Sequence, residues 1–288
     1  MRLVTYSSPS GPRVAAVRGA SLVDLNQADV NLPACMKRLL AMGPDGLRRA
    51  AMAAELGQPF PRDSVKLLAP VPKPDKVICI GLNYIDHARE SGVEPPPEPV
   101  VFNKFVTAVA AHDEPIILPR NSKEPDYEAE LVAVIGVGGR HIRREEAIRH
   151  VAGYCCGHDV SARDWQLHKP SKQWLLGKSF DTFAPFGPEL VTADEVGDPN
   201  QLRIQFRLNG RTLQDSTTAQ LIFKIDELVS YISDICTLAP GDVIFTGTPP
   251  GVGVARKPPI FMQPGDVAEV EIERIGVLRN PVVAEAAG

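Results

Sequence analysis

The sequence predicts a mainly β (α+β) protein with few short helices and a small N-terminal α/β appendage. Three observations carry this. Short strand-like runs dominate, at 76–80, 131–135, 203–208, 243–246 and 267–272. Helical patterns are short and scattered, at 85–91, 144–150, 161–167 and 226–236. The strands do not alternate regularly with long helices, which argues against a doubly wound parallel sheet and for mainly antiparallel pairing.

Residues 1–70 read as the appendage and 71–288 as the main domain. Residues 1–6 form a strand. Runs at 14–17 and 22–25 flank Gly19-Ala20-Ser21 as a hairpin, and 46–56, rich in Ala, Leu, Met and Arg, is a helix. Pro59, Pro61, Pro70, Pro72 and Pro74 then mark an extended connector, because proline bars the preceding residue from the helical region. In the main domain, 203–208 alternates polar and apolar residues, and Asn209-Gly210 is the strongest short hairpin signal in the chain. Pro-Gly-Asp-Val occurs at 240–243 and at 264–267, each time as a turn feeding a strand.

Composition narrows the function classes. The 44% hydrophobic and 23% charged shares are those of an ordinary globular protein. A net charge of -4 gives no electrostatic reason to expect nucleic acid. The basic run 140–144 is followed at once by Glu145 and Glu146, as on a solvated face. Five cysteines without a C-x-x-C spacing fit reduced thiols, hence a soluble cytoplasmic protein. The first residues lack the apolar core of a secretory signal. Apolar runs such as 131–137 are too short to span a bilayer, so no membrane partner is expected.

The sharpest local feature is Tyr127-Glu128-Ala129-Glu130, leading into an apolar run. On a strand, Glu128 and Glu130 share a face about 7 Å apart. At an effective dielectric near 20 they repel by roughly 2 kcal/mol, a penalty that a bound cation removes. A solvent-exposed strand end explains the same pair without an ion. A third acid, Asp159, follows the strand-like Tyr154-Cys155-Cys156-Gly157-His158, and Ser161-Ala162-Arg163-Asp164 has the S-x-x-D form of a helix start. Three oxygen ligands with no thiolate suit a hard cation, Mg²⁺ or Mn²⁺. His158 faces away from Asp159 on an alternating strand and reads as a packed histidine. Next, His87 and Glu90 lie at i,i+3 on the predicted helix 85–91, an arrangement that orients a histidine as a base. Taken alone, such a pair is also an ordinary surface contact. The glycines around Thr248 lack the Lys-Ser or Lys-Thr of a phosphate loop, and no G-x-S-x-G is present.

Together these segments resemble the fumarylacetoacetate hydrolase superfamily. The resemblance rests on Gly81-Leu82-Asn83-Tyr84 with His87 and Glu90, on Glu128-x-Glu130, and on Asp159-Val160-Ser161-Ala162-Arg163-Asp164-Trp165-Gln166. It also rests on Leu176-Gly177-Lys178-Ser179-Phe180-Asp181 and on Gly247-Thr248-Pro249-Pro250-Gly251-Val252-Gly253. Gln173-Trp174-Leu175-Leu176-Gly177-Lys178 and Lys257-Pro258-Pro259 look most like the second domain-containing type within it. The resemblance implies a mixed β-roll, a homodimer, and a Mg²⁺ or Mn²⁺ site at Glu128, Glu130 and Asp159. It implies that His87 and Glu90 activate water, that Lys178 is catalytic, and that Arg163, Gln166 and Thr248 contact the substrate. One departure stands out: Gly81-Leu82-Asn83 carries no acid where fumarylacetoacetate hydrolase proper has a further metal-binding aspartate, which argues against fumarylacetoacetate as substrate.

The implied activity is metal-dependent chemistry on a small 2-oxo (2,4-diketo) acid through an enolate, with C–C hydrolysis of an acylpyruvate first. Oxaloacetate decarboxylation and keto–enol tautomerism are the alternatives, followed by a non-catalytic metal- or ligand-binding homologue.

Overall fold

The structure is a computed structural model that describes residues 1–172 and 174–286. Gln173, part of one motif above, lies outside the described residues. The chain opens with a meander of β1 (Arg2–Ser8), β2 (Gly11–Arg18) and β3 (Ser21–Asp24). The short helices α1 (Leu25–Ala28) and α2 (Met36–Leu40) lead into the longer α3 (Gly43–Leu56). The proline-rich stretch is extended, as its sterics demand, and supplies β4 (Pro59–Pro61) and β5 (Leu67–Leu68). Strand β6 (Val77–Gly81) precedes α4 (Ile85–Ser91) and β7 (Val100–Lys104). Three short strands, β8 (Val109–Ala110), β9 (Ile116–Leu118) and β10 (Pro125–Asp126), lead to the central β11 (Ala129–Ile135). Then come α5 (Arg144–Ala147), β12 (Val151–His158), β13 (Ser161–Ala162), α6 (Arg163–His168) and α7 (Trp174–Lys178). The chain continues through β14 (Ala184–Thr192), α8 (Ala193–Val196), β15 (Arg203–Leu208), β16 (Arg211–Thr217) and α9 (Ile225–Ile235). It closes with β17 (Val243–Phe245), β18 (Val267–Ile272) and β19 (Gly276–Ala284).

The predicted β-rich class and mixed β-roll are what the molecule adopts. One large sheet runs β4-β3-β2-β1-β14-β12-β11-β17-β6-β7, with β5 on β1 and β8 on β14. A second, β16-β15-β18-β19-β9, packs across β11, β12 and β14. Most pairs are antiparallel; β17/β6, β14/β8 and β19/β9 are parallel. Because sheet packs on sheet, β11 and β12 are buried along their whole length, which is why 131–135 reads as an unbroken apolar run. Phe206 of β15 reaches across the interface, stacked on Tyr127 at 4.4 Å between centroids and touching His158 at 5.1 Å. His158 is thus the packed histidine expected, and burial holds its pKa down at about 3. The Asn209-Gly210 turn joins β15 to β16 with φ of 53° and 76°, the left-handed pair of a type I′ hairpin.

Three local expectations give way. Ser161 does not start a helix: it sits in β13, its hydroxyl bonds back to the Asp159 carbonyl at 2.9 Å, and α6 begins at Arg163 with no side-chain cap. Asp164 instead accepts from Ser122 Oγ and the Lys123 N–H. Residues 144–150 are one α turn followed by a 3₁₀ turn, and α7 occupies a stretch that carries no helical signal. Lys178 ends that helix. Strand β1 hydrogen-bonds to β14 (Leu3 opposite Leu190), so the large sheet takes strands from both sides of residue 70. Leu3, Val14 and Leu25 belong to the same core as Leu131 and Phe245.

Candidate active site

Strand pairing brings distant acids together. In the β11/β12 ladder Ala129 faces His158 and Glu130 faces Gly157. One residue further out, the Asp159 N–H donates to the Glu128 carbonyl at 2.9 Å, which sets Asp159 beside Glu128. Glu128, Glu130 and Asp159 are all buried, and each offers a carboxylate oxygen within 4.8 Å of the others. Glu130 is aimed by the Gly247 N–H, which donates to its Oε2 at 2.8 Å. Gly247 has φ +100°, and a Cβ there would lie 2.8 Å from the Asn83 Cβ, so only glycine suits the position.

Three cations surround the acids. Lys178 Nζ donates to Glu128 Oε2 at 2.7 Å and to Asp159 Oδ2 at 2.9 Å. Arg163 spends its fork on Asp126 Oδ2 (2.8 Å), Glu128 Oε1 (2.6 Å) and Gln166 Oε1 (2.7 Å). Lys104 Nζ donates to three backbone carbonyls and lies 2.6 Å from Asp159 Oδ1, outside hydrogen-bonding geometry for that oxygen. Burial pushes Glu128 up, but Lys178 and Arg163 outweigh it and hold its pKa at about 2. Glu130 has no such partner: burial, with Asp159 and Glu128 repelling it, raises its pKa well above the ordinary carboxyl value.

The other candidate residues meet around the same space. His87, Glu128, Glu130, Arg163, Gln166, Lys178 and Thr248 line a cavity of about 200 Å³. His87 Nδ1 lies 3.1 Å from Glu90 Oε2, and Glu90 also accepts the Gly251 N–H. Asn83 fixes the start of α4: it donates to the Thr246 and Phe223 carbonyls and accepts the Phe223 N–H. Asp86, at the first turn of α4, accepts from Ser216 Oγ at 2.6 Å. Thr248 Oγ1 donates to the Ala129 carbonyl and accepts from Gln214 Nε2, both at 2.9 Å, so its hydroxyl is already tied to the scaffold.

Two members escape the sequence reading. Asp126 is fully buried and accepts from Arg163 and from the Gly253 and Val254 N–H groups at 2.6 and 3.0 Å. Its signal was present, since it continues the same-face spacing of Glu128 and Glu130. Lys104 ends an ordinary apolar strand, and no pattern marks it.

The donor set suits the metal that the fold implies. The cluster holds only carboxylate oxygens, Asp159 Oδ1 has no hydrogen-bond partner, and Glu130 is held near two further acids with no cation paired to it. With Glu130 ionised, the four carboxylates exceed the three cations by one negative charge. A hard divalent ion fits each of these features.

Over residues 76–283 the chain matches the family described as "Fumarylacetoacetate (FAA) hydrolase C-terminal", and it belongs to that family of enzymes. Across 288 residues it is 48% identical to "Oxaloacetate tautomerase fahd2, mitochondrial" of Xenopus laevis, covering 98% of this chain and 90% of that protein. That match agrees with the resemblance to the second domain-containing type. Among solved structures it is similar to fumarylacetoacetate hydrolase (EaFAH) from psychrophilic Exiguobacterium antarcticum, with TM-score 0.86 and 34% identity over 99% of this chain and 100% of that one. It is also similar to maleylpyruvate hydrolase from Sphingobium sp. SYK-6 in complex with manganese (II) ion and pyruvate. There the TM-score is 0.82 and the identity 31%, over 99% of this chain and 100% of that one.

Proposed function

We propose that this enzyme interconverts the keto and enol forms of oxaloacetate. The observation that carries the reading is the meeting of Glu128, Glu130, Lys178 and His87 on one cavity of about 200 Å³, with Asp159 clustered behind the two glutamates, a space suited to a compact acid. Glu128, Glu130 and Asp159 would hold a Mg²⁺ or Mn²⁺ ion. When bound, the ion supplies Lewis-acid polarisation of the 2-oxo group and offsets the charge of the substrate.

The protein's own groups do the rest. Glu90, facing His87 Nδ1, fixes the ring with that nitrogen protonated, so Nε2 is the basic one. Nε2 takes a proton from C3, and the electron pair of that C–H bond forms the C2–C3 double bond while the carbonyl pair moves to oxygen. Lys178 has three N–H groups, two of them held by Glu128 and Asp159, which leaves one for the developing oxyanion. The proton now on Nε2 passes to that oxygen, directly or through a water, which completes the enol and restores the base. The relatives named oxaloacetate tautomerases support this outcome.

A second reading, hydrolysis of an acylpyruvate, rests on the same dyad. If a second carbonyl sits beside His87, the dyad activates water in place of C3, as the similarity to a maleylpyruvate hydrolase suggests. The deciding experiment follows the ultraviolet absorbance of enol-oxaloacetate, released CO₂, and acetylpyruvate cleavage, with and without chelator. Enol conversion no faster than in buffer sinks the first reading.

The setting is part of the proposal. The five cysteines are free, which supports a reducing intracellular compartment. The sequence reading expects the cytoplasm, whereas the relative's name says mitochondrial. Among the described residues no helix is long and apolar enough to cross a membrane. A homodimer is supported by the open edge of β7, where Val101 and Phe105 are exposed beside Ile235 of α9. Light scattering on the wild type and on Phe105→Asp tests it, and an unchanged monomeric mass in both refutes it. The division near residue 70 stands as a proposal about which part carries chemistry, since every candidate residue lies beyond it.

A further inference from the structure

We propose that Arg211, Arg256 and Lys257 form an anion-binding shelf at the mouth of the catalytic cavity, and that it takes the second carboxylate of a 2-oxo diacid. The inference rests on the reading of the cavity as a 2-oxo acid site and assigns the residues that take the distal carboxylate.

A depression of about 470 Å³ lies against the cavity and is lined by these three cations. The two spaces share Ala255, and Glu90, which also lines the depression, reaches back to His87. A molecule held by the acids and Lys178 with its far end toward Ala255 would meet this opening. The shelf's charge is left uncompensated. Arg256 is fixed by neutral acceptors: its Nε donates to the Gly251 carbonyl at 3.2 Å, and its guanidinium also meets the Leu213 carbonyl. Arg211 and Lys257 are exposed and make no ion pair among the described residues. Neighbouring arginines behave otherwise: Arg203 pairs with Asp215 at 2.6 Å, and Arg207 with Glu271 at 2.5 Å. Glu90 is the one acid on the shelf, and its oxygens are turned to His87 and the Gly251 N–H.

A carboxylate on the shelf gains charge-assisted hydrogen bonds from a planar fork already held in place.

The test compares oxaloacetate with its C4 methyl ester, which differs in the distal charge. The variants are Arg211→Ala/Lys257→Ala, which removes exposed, unpaired side chains, and Arg256→Gln. Expected is a KM for oxaloacetate raised about tenfold or more, with kcat and the KM for the ester nearly unchanged. A second readout needs no turnover: succinate should raise the melting temperature of the wild type more than monomethyl succinate does, and the double variant should lose that difference. Equal KM changes for both substrates, or a succinate effect untouched in the double variant, overturn the shelf. If the wild type turns over neither oxaloacetate nor its ester, the reading of the cavity fails, and the succinate arm still decides the shelf.

Discussion

Two buried charge networks in this molecule invite comparison. In the N-terminal meander, Asp24 accepts four hydrogen bonds: from Tyr6 Oη and Arg13 Nε at 2.5 Å, and from Arg13 Nη2 and the Gln27 N–H at 2.7 Å. Both oxygens are saturated, Arg13 spends a further contact on Asn26, and no like charge intrudes. Around Glu128 the pattern is inverted. Four acids crowd three cations, Asp159 Oδ1 has an ion-pair contact with Lys104 but no hydrogen bond, and Glu130 is held beside charges of its own sign. The first network is closed and can only stabilise. The second is incomplete as a protein structure and becomes complete with something added. Burial does not separate a structural cluster from a functional one; saturation of the hydrogen-bonding capacity does.

The largest effect that would break this contrast is on catalysis. Asp159→Asn or Glu128→Gln should lower turnover by about 10³-fold or more, because each removes a charge the reaction centre depends on. Glu128→Gln also leaves Arg163 and Lys178 short of a buried partner, at a cost of about 3–5 kcal/mol in stability. Asp24→Asn should lower stability and leave kcat within about twofold, since it lies in the structural network. Steady-state kinetics beside thermal melts decide this, and equal kinetic losses in the two networks would erase the distinction. Next in size is the response to metal. Mg²⁺ or Mn²⁺ at 100 times its Kd should stabilise the wild type by about 2.7 kcal/mol, and Asp24→Asn as much, while Asp159→Asn should not respond. Chelated wild type melting and turning over unchanged would contradict the fit drawn from the carboxylate cluster.

Legibility followed the same line. Glu128, Glu130 and Asp159 were readable because strand alternation and an apolar flank make paired acids conspicuous. His87 and Glu90 were readable because i,i+3 spacing on a helix is local. Ser161 misled because S-x-x-D is a local pattern too, and tertiary pairing with β10 claimed it for a strand. Lys104 was invisible: its role depends on the carbonyls of Val160, Lys178 and Phe183, all supplied from far along the chain. Arg163 was found as a residue, yet its partners Asp126 and Glu128 are set by the fold and not by its neighbours in sequence. What a sequence withholds is therefore mostly the partner.

His87 sharpens the comparison from the functional side. His87→Ala removes the general base and should cost about 10²–10⁴-fold in the reaction it serves, with metal-induced stabilisation retained. Loss confined to acetylpyruvate cleavage would assign the dyad to water activation; loss of oxaloacetate enolisation would assign it to C3.

The smallest effect lies in the closed network and depends on pH. Burial pushes the Asp24 carboxyl up, but the hydrogen bonds from Arg13, Tyr6 and the Gln27 N–H outweigh it, so its pKa falls below the ordinary 3.8. A carboxyl depressed on folding contributes stability that is complete above its unfolded value and is lost as pH drops through its folded one. Asp24→Asn should therefore melt below the wild type at neutral pH, with a gap that closes as the pH is taken below 3.8. Melting curves for the two proteins across that range measure it. A gap that stayed constant into acid would mean that the network stabilises through shape alone and that its charges contribute nothing.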